Sequence, residues 1–154
     1  MEIRTCQSAD IPYISRLYFN TIHRVNSRDY TKEQIQAWAP TIFNNDFWSQ
    51  RFQKRRVLIV EDRKVILGFV EFEPSGHIDC FYVHHEFQGK GIGTAMMQQV
   101  EDAFRKLNVH RAFAEVSITA RAFFAARGFH VIEERSAEYG GVSLKLYLME
   151  KYIN

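Results

Sequence analysis

The sequence predicts a mixed α/β domain, one sheet layered with helices. Three observations carry that expectation. Apolar residues recur at helical spacing between residues 11 and 38. Short β-rich runs begin abruptly at residue 57. From residue 78 onward the pattern reads strand, helix, strand, helix, strand, strand, the signature of a sheet covered by helices. A single domain over residues 1–154 is expected, because 154 residues suit one core and no repeat, low-complexity tract or Pro/Gly/Ser linker divides them.

Residues 2–6 form a short strand. Ser8 opens a helix with Pro12 in its first turn, where a missing N–H costs little. Ile11, Ile14, Leu17, Tyr18 and Ile22 share one face of that helix. Thr31 and Gln34 make a capping box for a second helix through Trp38, stopped by Pro40. Asn45 or Asp46 caps a short third helix to about residue 54. Val57–Val60 is a buried strand, Asp62-Arg63-Lys64 a turn, and Val65–Glu73 the returning strand. Pro74-Ser75-Gly76 turns the chain into a strand over Ile78–Val83. After a glycine-rich stretch, a long helix runs from about Ile92 to Leu107, burying Ile92, Ala95, Met96, Val100, Ala103, Phe104 and Leu107. Arg111–Val116 is a strand, residues 119–127 a helix ended by Gly128, and residues 129–135 and 142–150 the last two strands around Gly140-Gly141.

Composition excludes several classes. Hydrophobic residues make 46% and charged residues 25% of the chain, a globular balance. A formal charge of +2 is too small to argue for nucleic acid or an anionic membrane, and no stretch approaches the roughly 18 apolar residues of a membrane span. Cys6 and Cys80 are too few for a disulfide scaffold and read as reduced thiols; with no signal-peptide pattern at the N-terminus, the expected compartment is the cytoplasm. Residues 1–56 carry nine basic and five acidic side chains, ending in Lys54-Arg55-Arg56, which reads as a solvated helix end or an anion-binding patch.

The informative segment runs from Val83 through His84-His85-Glu86-Phe87 to Gln88-Gly89-Lys90-Gly91-Ile92-Gly93-Thr94. Glycines let a backbone approach a ligand closely, and the helix behind them offers unpaired N–H groups and a positive dipole end. That combination suits a phosphate or pyrophosphate, with Lys90 adding a cation and Thr94 a hydroxyl. The dinucleotide fingerprint fails because Thr94 stands where its last glycine belongs, and the P-loop fails because no lysine follows the last glycine. What remains is Gln-x-x-Gly-x-Gly at Gln88, Gly91 and Gly93. His84-His85-Glu86 invites a metal reading, but neighbouring strand residues point to opposite faces, so no metal site is expected.

With that motif between a strand and a long helix, the chain resembles the GNAT superfamily of N-acetyltransferases, whose coenzyme A loop reads Arg/Gln-x-x-Gly-x-Gly/Ala. The order of elements over essentially the whole chain is similar. So is Phe123-Phe124-Ala125-Ala126-Arg127-Gly128-Phe129, set against the family's Phe-Tyr-x-x-x-Gly-Phe. The resemblance implies a mostly antiparallel central sheet of about six to seven strands flanked by helices on both faces. It implies acetyl-CoA as cosubstrate, without a metal. Pantetheine would lie along Phe81, Tyr82 and Val83, and the pyrophosphate on the N–H groups of Gln88, Gly89, Lys90, Gly91, Ile92, Gly93 and Thr94. Ser117 stands where the family often has Asn, and either bonds the pantetheine or caps its helix. Phe124 occupies the position of the family's usual acid, a Tyr, beside the coenzyme, and has no proton to give.

The reaction implied is attack of a neutral amine on a thioester, and alkylamines have a pKa of about 10.4, so a base or a desolvating pocket is needed. Glu71, Glu73 and Asp79 are the acids near the expected opening of the sheet. Asp79 shares a face with Phe81 and Val83 by period two, and Glu71 or Asp79 on an apolar strand points to a role. For the acid, Tyr139 in the last turn or Tyr82 can replace the missing Tyr. Cys80 reads as a buried structural thiol or, in an acyl-enzyme scheme, a nucleophile. Arg121 and Arg127 either approach the coenzyme's phosphates or cover their helix. Tyr30, Trp38, Phe43, Phe47 and Trp48 are core residues or the walls of an acceptor pocket suited to a flat or cationic amine. The expected partner is a small-molecule or peptide amine, not nucleic acid or membrane, and the family's frequent dimers leave a homodimer open by analogy.

Overall fold

A computed structural model describes residues 1–154. Seven strands form one sheet: β1 (Glu2–Thr5), β2 (Arg56–Asp62), β3 (Val65–Phe72), β4 (His77–Val83), β5 (Arg111–Ser117), β6 (His130–Tyr139) and β7 (Val142–Tyr152). Their order is β1-β2-β3-β4-β5-β7-β6, and every pair is antiparallel except β4 with β5. On one face lie α4 (Ile92–Lys106) and α5 (Arg121–Ala126), over a core that includes Phe72, Met96, Val100, Phe104 and Phe124. On the other lie α1 (Ile11–Arg24), α2 (Lys32–Trp38) and α3 (Asn45–Phe52), over a second core with Ile14, Ile22, Trp48, Ile59 and Phe69. The mixed, mostly antiparallel sheet with helices on both faces is thus the architecture expected. No helix is long and apolar enough to cross a membrane.

Local differences have local causes. A 3₁₀ turn over Ser8–Asp10 precedes α1, and Gln7 and Asp10 make the capping box in place of Ser8. Asp10 is held there by Arg4 at 2.9 Å, which keeps its carboxyl below the usual range. Asn44, one residue before the expected caps, accepts from the Phe47 N–H and starts α3. In α4 the buried face includes Met97 and Glu101 and leaves Ala95, Ala103 and Leu107 only partly covered. Glu101 is tolerated because Lys151 donates to both its oxygens at 2.9 and 3.0 Å. The β6–β7 hairpin is longer than expected, because its polar outer half carries no hydrophobic signal.

Candidate active site

β4 and β5 pair only at His77–Phe113 and Ile78–Ala114. Beyond those two pairs they separate, and a cleft of about 920 Å³ opens between them, within the size range of ligand sites. The cleft is continuous from the start of α4 to the helices on the opposite face.

The first half of the cleft has the form of an anion cradle beside a free strand edge. The His84 N–H donates to the Leu67 carbonyl at 2.8 Å. By antiparallel alternation the main-chain groups of Phe81 and Val83 then turn away from β3 toward the gap. The Val83 carbonyl is taken by Thr21 Oγ1 at 3.1 Å and Gln88 Nε2 at 2.7 Å, which fixes the loop to the strand end. None of the seven main-chain N–H groups from Gln88 to Thr94 donates to a protein acceptor; the first in α4 that does is Ala95, to Gly91. Gly89 and Gly91 hold φ of +72° and +83°, the left-handed region, with open space where a Cβ would stand. Gly93 differs: a Cβ there would meet the Phe123 ring at 3.0 Å, so this glycine seats α5 against α4. Ile92 is buried beneath the loop. Lys90 lies over the Phe87 ring, and Arg127 crosses the Phe123 ring to donate to Thr94 Oγ1 at the same rim, while Arg121 covers Tyr147. Seven free donors, a helix N-terminus and open space fit the pyrophosphate of a coenzyme.

Phe124 is 3% exposed and packs on Phe81, Phe123 and Phe129, so it completes the core under the strand edge. Ser117 Oγ accepts from the Ala120 N–H at 3.1 Å in the turn leading into α5, while also bordering the cleft.

The second half of the cleft is aromatic. Tyr18, Trp38, Phe43, Phe47, Tyr82 and Tyr139 border it. Tyr18 stands edge-on to Tyr82 at 5.0 Å, and Tyr139 stacks on Trp38 at 6.4 Å. Of the five aromatics expected here, Tyr30 and Trp48 are core: Tyr30 OH donates to the Lys145 carbonyl and accepts the Ile118 N–H, and Trp48 is fully buried. Burial, with Cys80 and Asp79 close by, raises the Tyr139 pKa above the usual phenol value. Tyr82 is raised further, again mainly by burial. Burial and the nearby Glu71 also push the Cys80 thiol well up, so it stays neutral and is no nucleophile.

The expected acids lie in an ion-pair cluster. The β3–β4 register slips between Val70–Phe81 and Phe72–Ile78, so Asp79 and Cys80 together oppose Glu71 in a bulge. The bulge corrects the period-two reading: Asp79 shares the α3 side with Glu71, while Phe81 and Val83 pack on the α4 side. Arg51 Nη2 donates to Glu71 at 2.5 Å and to Asp79 at 3.1 Å, and Arg55 bridges Asp79 and Glu71 as well. Glu71 is fully buried, binds both arginines through Oε1 and does not border the cleft, so as a candidate base it is corrected to a structural anion. Asp79 borders the cleft but is held by both guanidiniums. Glu73 pairs with His77 at 2.7 Å. The basic run ending α3 is therefore partly neutralised from within. Glu71, Asp79 and Cys80 cluster closely enough for a metal, yet Arg51 and Arg55 already provide the positive charge there. Past the end of β4 the alternation stops, and the His84 and His85 rings stack at 4.6 Å instead of pointing apart.

A family model described as an acetyltransferase (GNAT) domain matches residues 26–151. The chain belongs to the GNAT acetyltransferase family. As a member it is an acyltransferase. YafP, an uncharacterized N-acetyltransferase of Escherichia coli (strain K12), is 24% identical over 141 residues, covering 92% of this chain and 89% of YafP. The GCN5-related N-acetyltransferase structure from Rhodopseudomonas palustris superposes with a TM-score of 0.94 at 24% identity, covering 99% of this chain and 95% of the other. PaiA N-acetyltransferase from Thermoplasma acidophilum, solved with coenzyme A, gives 0.76 at 18% identity, with 98% of each chain covered.

Within this GNAT cleft, the bordering side chains that escape sequence reasoning include Thr21, Asn26, Arg51 and Glu115. Thr21 and Asn26 sit among helix residues with no motif around them. Arg51 reads as one cation in a basic run, and only the β4 bulge brings Asp79 to it. Glu115 lies on β5 between buried Ala114 and Val116, so strict alternation already marks it as facing away from the α4 core.

Proposed function

We propose that this GNAT acetyltransferase moves an acetyl group from acetyl-CoA to a primary amine of a small molecule or peptide by direct attack of the amine on the thioester. The observation that carries the reading is one continuous cleft joining seven unbonded main-chain N–H groups to an aromatic cavity. The coenzyme supplies an activated acetyl thioester when bound. Gln88 to Thr94 would hold its pyrophosphate through main-chain N–H groups, and the main chain of Phe81 and Val83, either side of Tyr82, would offer the strand edge to its pantetheine. Phe124 and Phe123 give that edge an apolar floor, and Ser117 shapes the turn beside it. The free N–H of Val83 is placed to donate to the thioester oxygen as charge develops there.

Tyr139 is the proton donor to the leaving sulfur. Its raised pKa keeps it protonated through neutral pH. A thiol has a pKa of about 8.5, so a phenol above 10 protonates its thiolate uphill, and the help is modest. Tyr139→Phe therefore lowers kcat by roughly tenfold to a hundredfold, at or below the low end for general acids, with acetyl-CoA affinity unchanged. Steady-state kinetics beside a binding titration check this; an unchanged kcat removes Tyr139 from the role.

The test of the function is to incubate the protein with acetyl-CoA and 2-phenylethylamine, tyramine, spermidine and peptides bearing lysine or N-terminal alanine. Mass spectrometry reads the acetylated product. Acetylation of one or more amines is expected. Phe124, with no proton to give, favours a second reading, a coenzyme-binding sensor of weak catalysis. Coenzyme binding without product from any amine decides for that reading.

A further inference from the structure

We infer that Glu115 of β5 is the general base that takes the proton from the acceptor amine, an assignment that rests on the acetyltransfer reading above. Only two carboxylates border the cleft, Asp79 and Glu115. Asp79 takes both Arg51 and Arg55 on its Oδ2, so its charge is already balanced by two guanidiniums. The Glu115 side chain forms no ion pair and no hydrogen bond, and it is exposed at the cleft.

Register places it well. The parallel pairs of β4 and β5 end at Ile78–Ala114, so the next step puts Glu115 opposite Asp79 where the strands begin to separate. Ala114 and Val116 pack into the α4 core, so Glu115 projects to the opposite face, the side of the aromatic cavity. It is close enough to Tyr139 to help raise that phenol's pKa. Base and acid thus share one mouth.

The surroundings suit a proton acceptor for a cation. His77, Asp79, Cys80 and Tyr82 of β4, Tyr18 of α1, Arg51 of α3 and Tyr139 of β6 are the other titratable or charged groups bordering this part of the cleft, and β7 pairs the uncharged Leu148 with Glu115. Arg51 and Asp79 are paired with each other, so the unpaired carboxylate here is Glu115. An alkylammonium enters against the aromatic rings and is drawn to that carboxylate. One proton passes from nitrogen to Glu115. The C–N bond forms to the acetyl carbon as the C–S bond breaks, the nitrogen releases a second proton to solvent, and the sulfur takes its proton from Tyr139. Glu115 returns its proton to solvent and Tyr139 regains one from it, so the sum is alkylammonium plus thioester giving amide, thiol and one released proton.

The experiment compares wild type, Glu115→Gln and Glu115→Asp on whichever panel amine turns over fastest, from pH 7 to pH 9.5, with acetyl-CoA titration and circular dichroism on each variant. Glu115→Gln is expected to lose a hundredfold or more in kcat at pH 7, with unchanged coenzyme affinity and fold. The loss shrinks as pH approaches the chosen amine's own pKa, about 10.4 for a lysine-type amine and about 8 for a peptide N-terminus, because the amine then arrives neutral. Glu115→Asp retains part of the rate. A kcat equal to wild type, or a loss constant at every pH, overturns the assignment while leaving the acetyltransferase reading standing. Failure of wild type on every amine overturns that reading, and this assignment with it.

Discussion

Replacing Gly91 by aspartate abolishes measurable acetyl-CoA binding while the protein stays folded. Gly91 sits at φ +83°, ψ 4°, immediately before α4, among the seven free N–H groups. A Cβ there meets no protein atom within 4 Å, so the fold tolerates it apart from the left-handed backbone, which costs roughly 1–2 kcal/mol for a residue with a Cβ. The open space that spares the fold is the space proposed for the coenzyme's pyrophosphate. A carboxylate near 4 Å from a phosphate charge costs about 1 kcal/mol in water and about 4 kcal/mol at a partly screened surface. Affinity should fall at least a hundredfold. Gly91→Asn, which tolerates the left-handed region and carries no charge, should lose far less. Equal losses in the two variants would trace the effect to shape; unchanged affinity in Gly91→Asp would reject the loop as the coenzyme site.

Arg51→Met lowers stability by about 2–3 kcal/mol. Removing one partner of a buried ion pair typically costs about 3–5 kcal/mol, because the other charge is left unpaired. Glu71 is fully buried, but Arg51 is 30% exposed and Arg55 remains 3.5 Å from Glu71, so the low end applies. For a chain of 154 residues this amounts to a fall in Tm of roughly 5–10 °C by thermal denaturation. The double variant Arg51→Met, Glu71→Met should recover part of the loss, since no buried charge is then orphaned. A Tm unchanged in Arg51→Met would contradict the ion-pair cluster.

The same cluster marks the limit of what the sequence discloses. The fold class, the seven strands and the helix order are legible because each rests on a local pattern: period 3.6 in α1 and α4, period 2 in the strands, and a Thr31–Gln34 capping box that forms as expected. The form of the glycine loop is legible for the same reason, since Gln88 to Thr94 is contiguous and Gly89 and Gly91 act on their own backbone, whereas the contact of Gly93 with Phe123 is not. The acceptor side is assembled from α1, α2, α3, β4, β5 and β6, and no spacing in the chain records those meetings. A one-residue bulge at Asp79-Cys80 reverses which face Asp79 occupies, and that reversal, not composition, turns a candidate base into a partner for Arg51 and Arg55. Glu115 passes unnoticed because a lone acid on a strand has no motif, although the alternation of β5 does give its facing.

Calorimetric titration of acetyl-CoA, and then CoA, into the purified protein tests the proposed coenzyme site most directly. The expected result is one molecule of coenzyme bound per chain, with Gly91→Asp silent under the same conditions. No binding of either coenzyme to the wild-type protein would contradict it, leaving a family fold whose glycine loop and open strand edge serve something else.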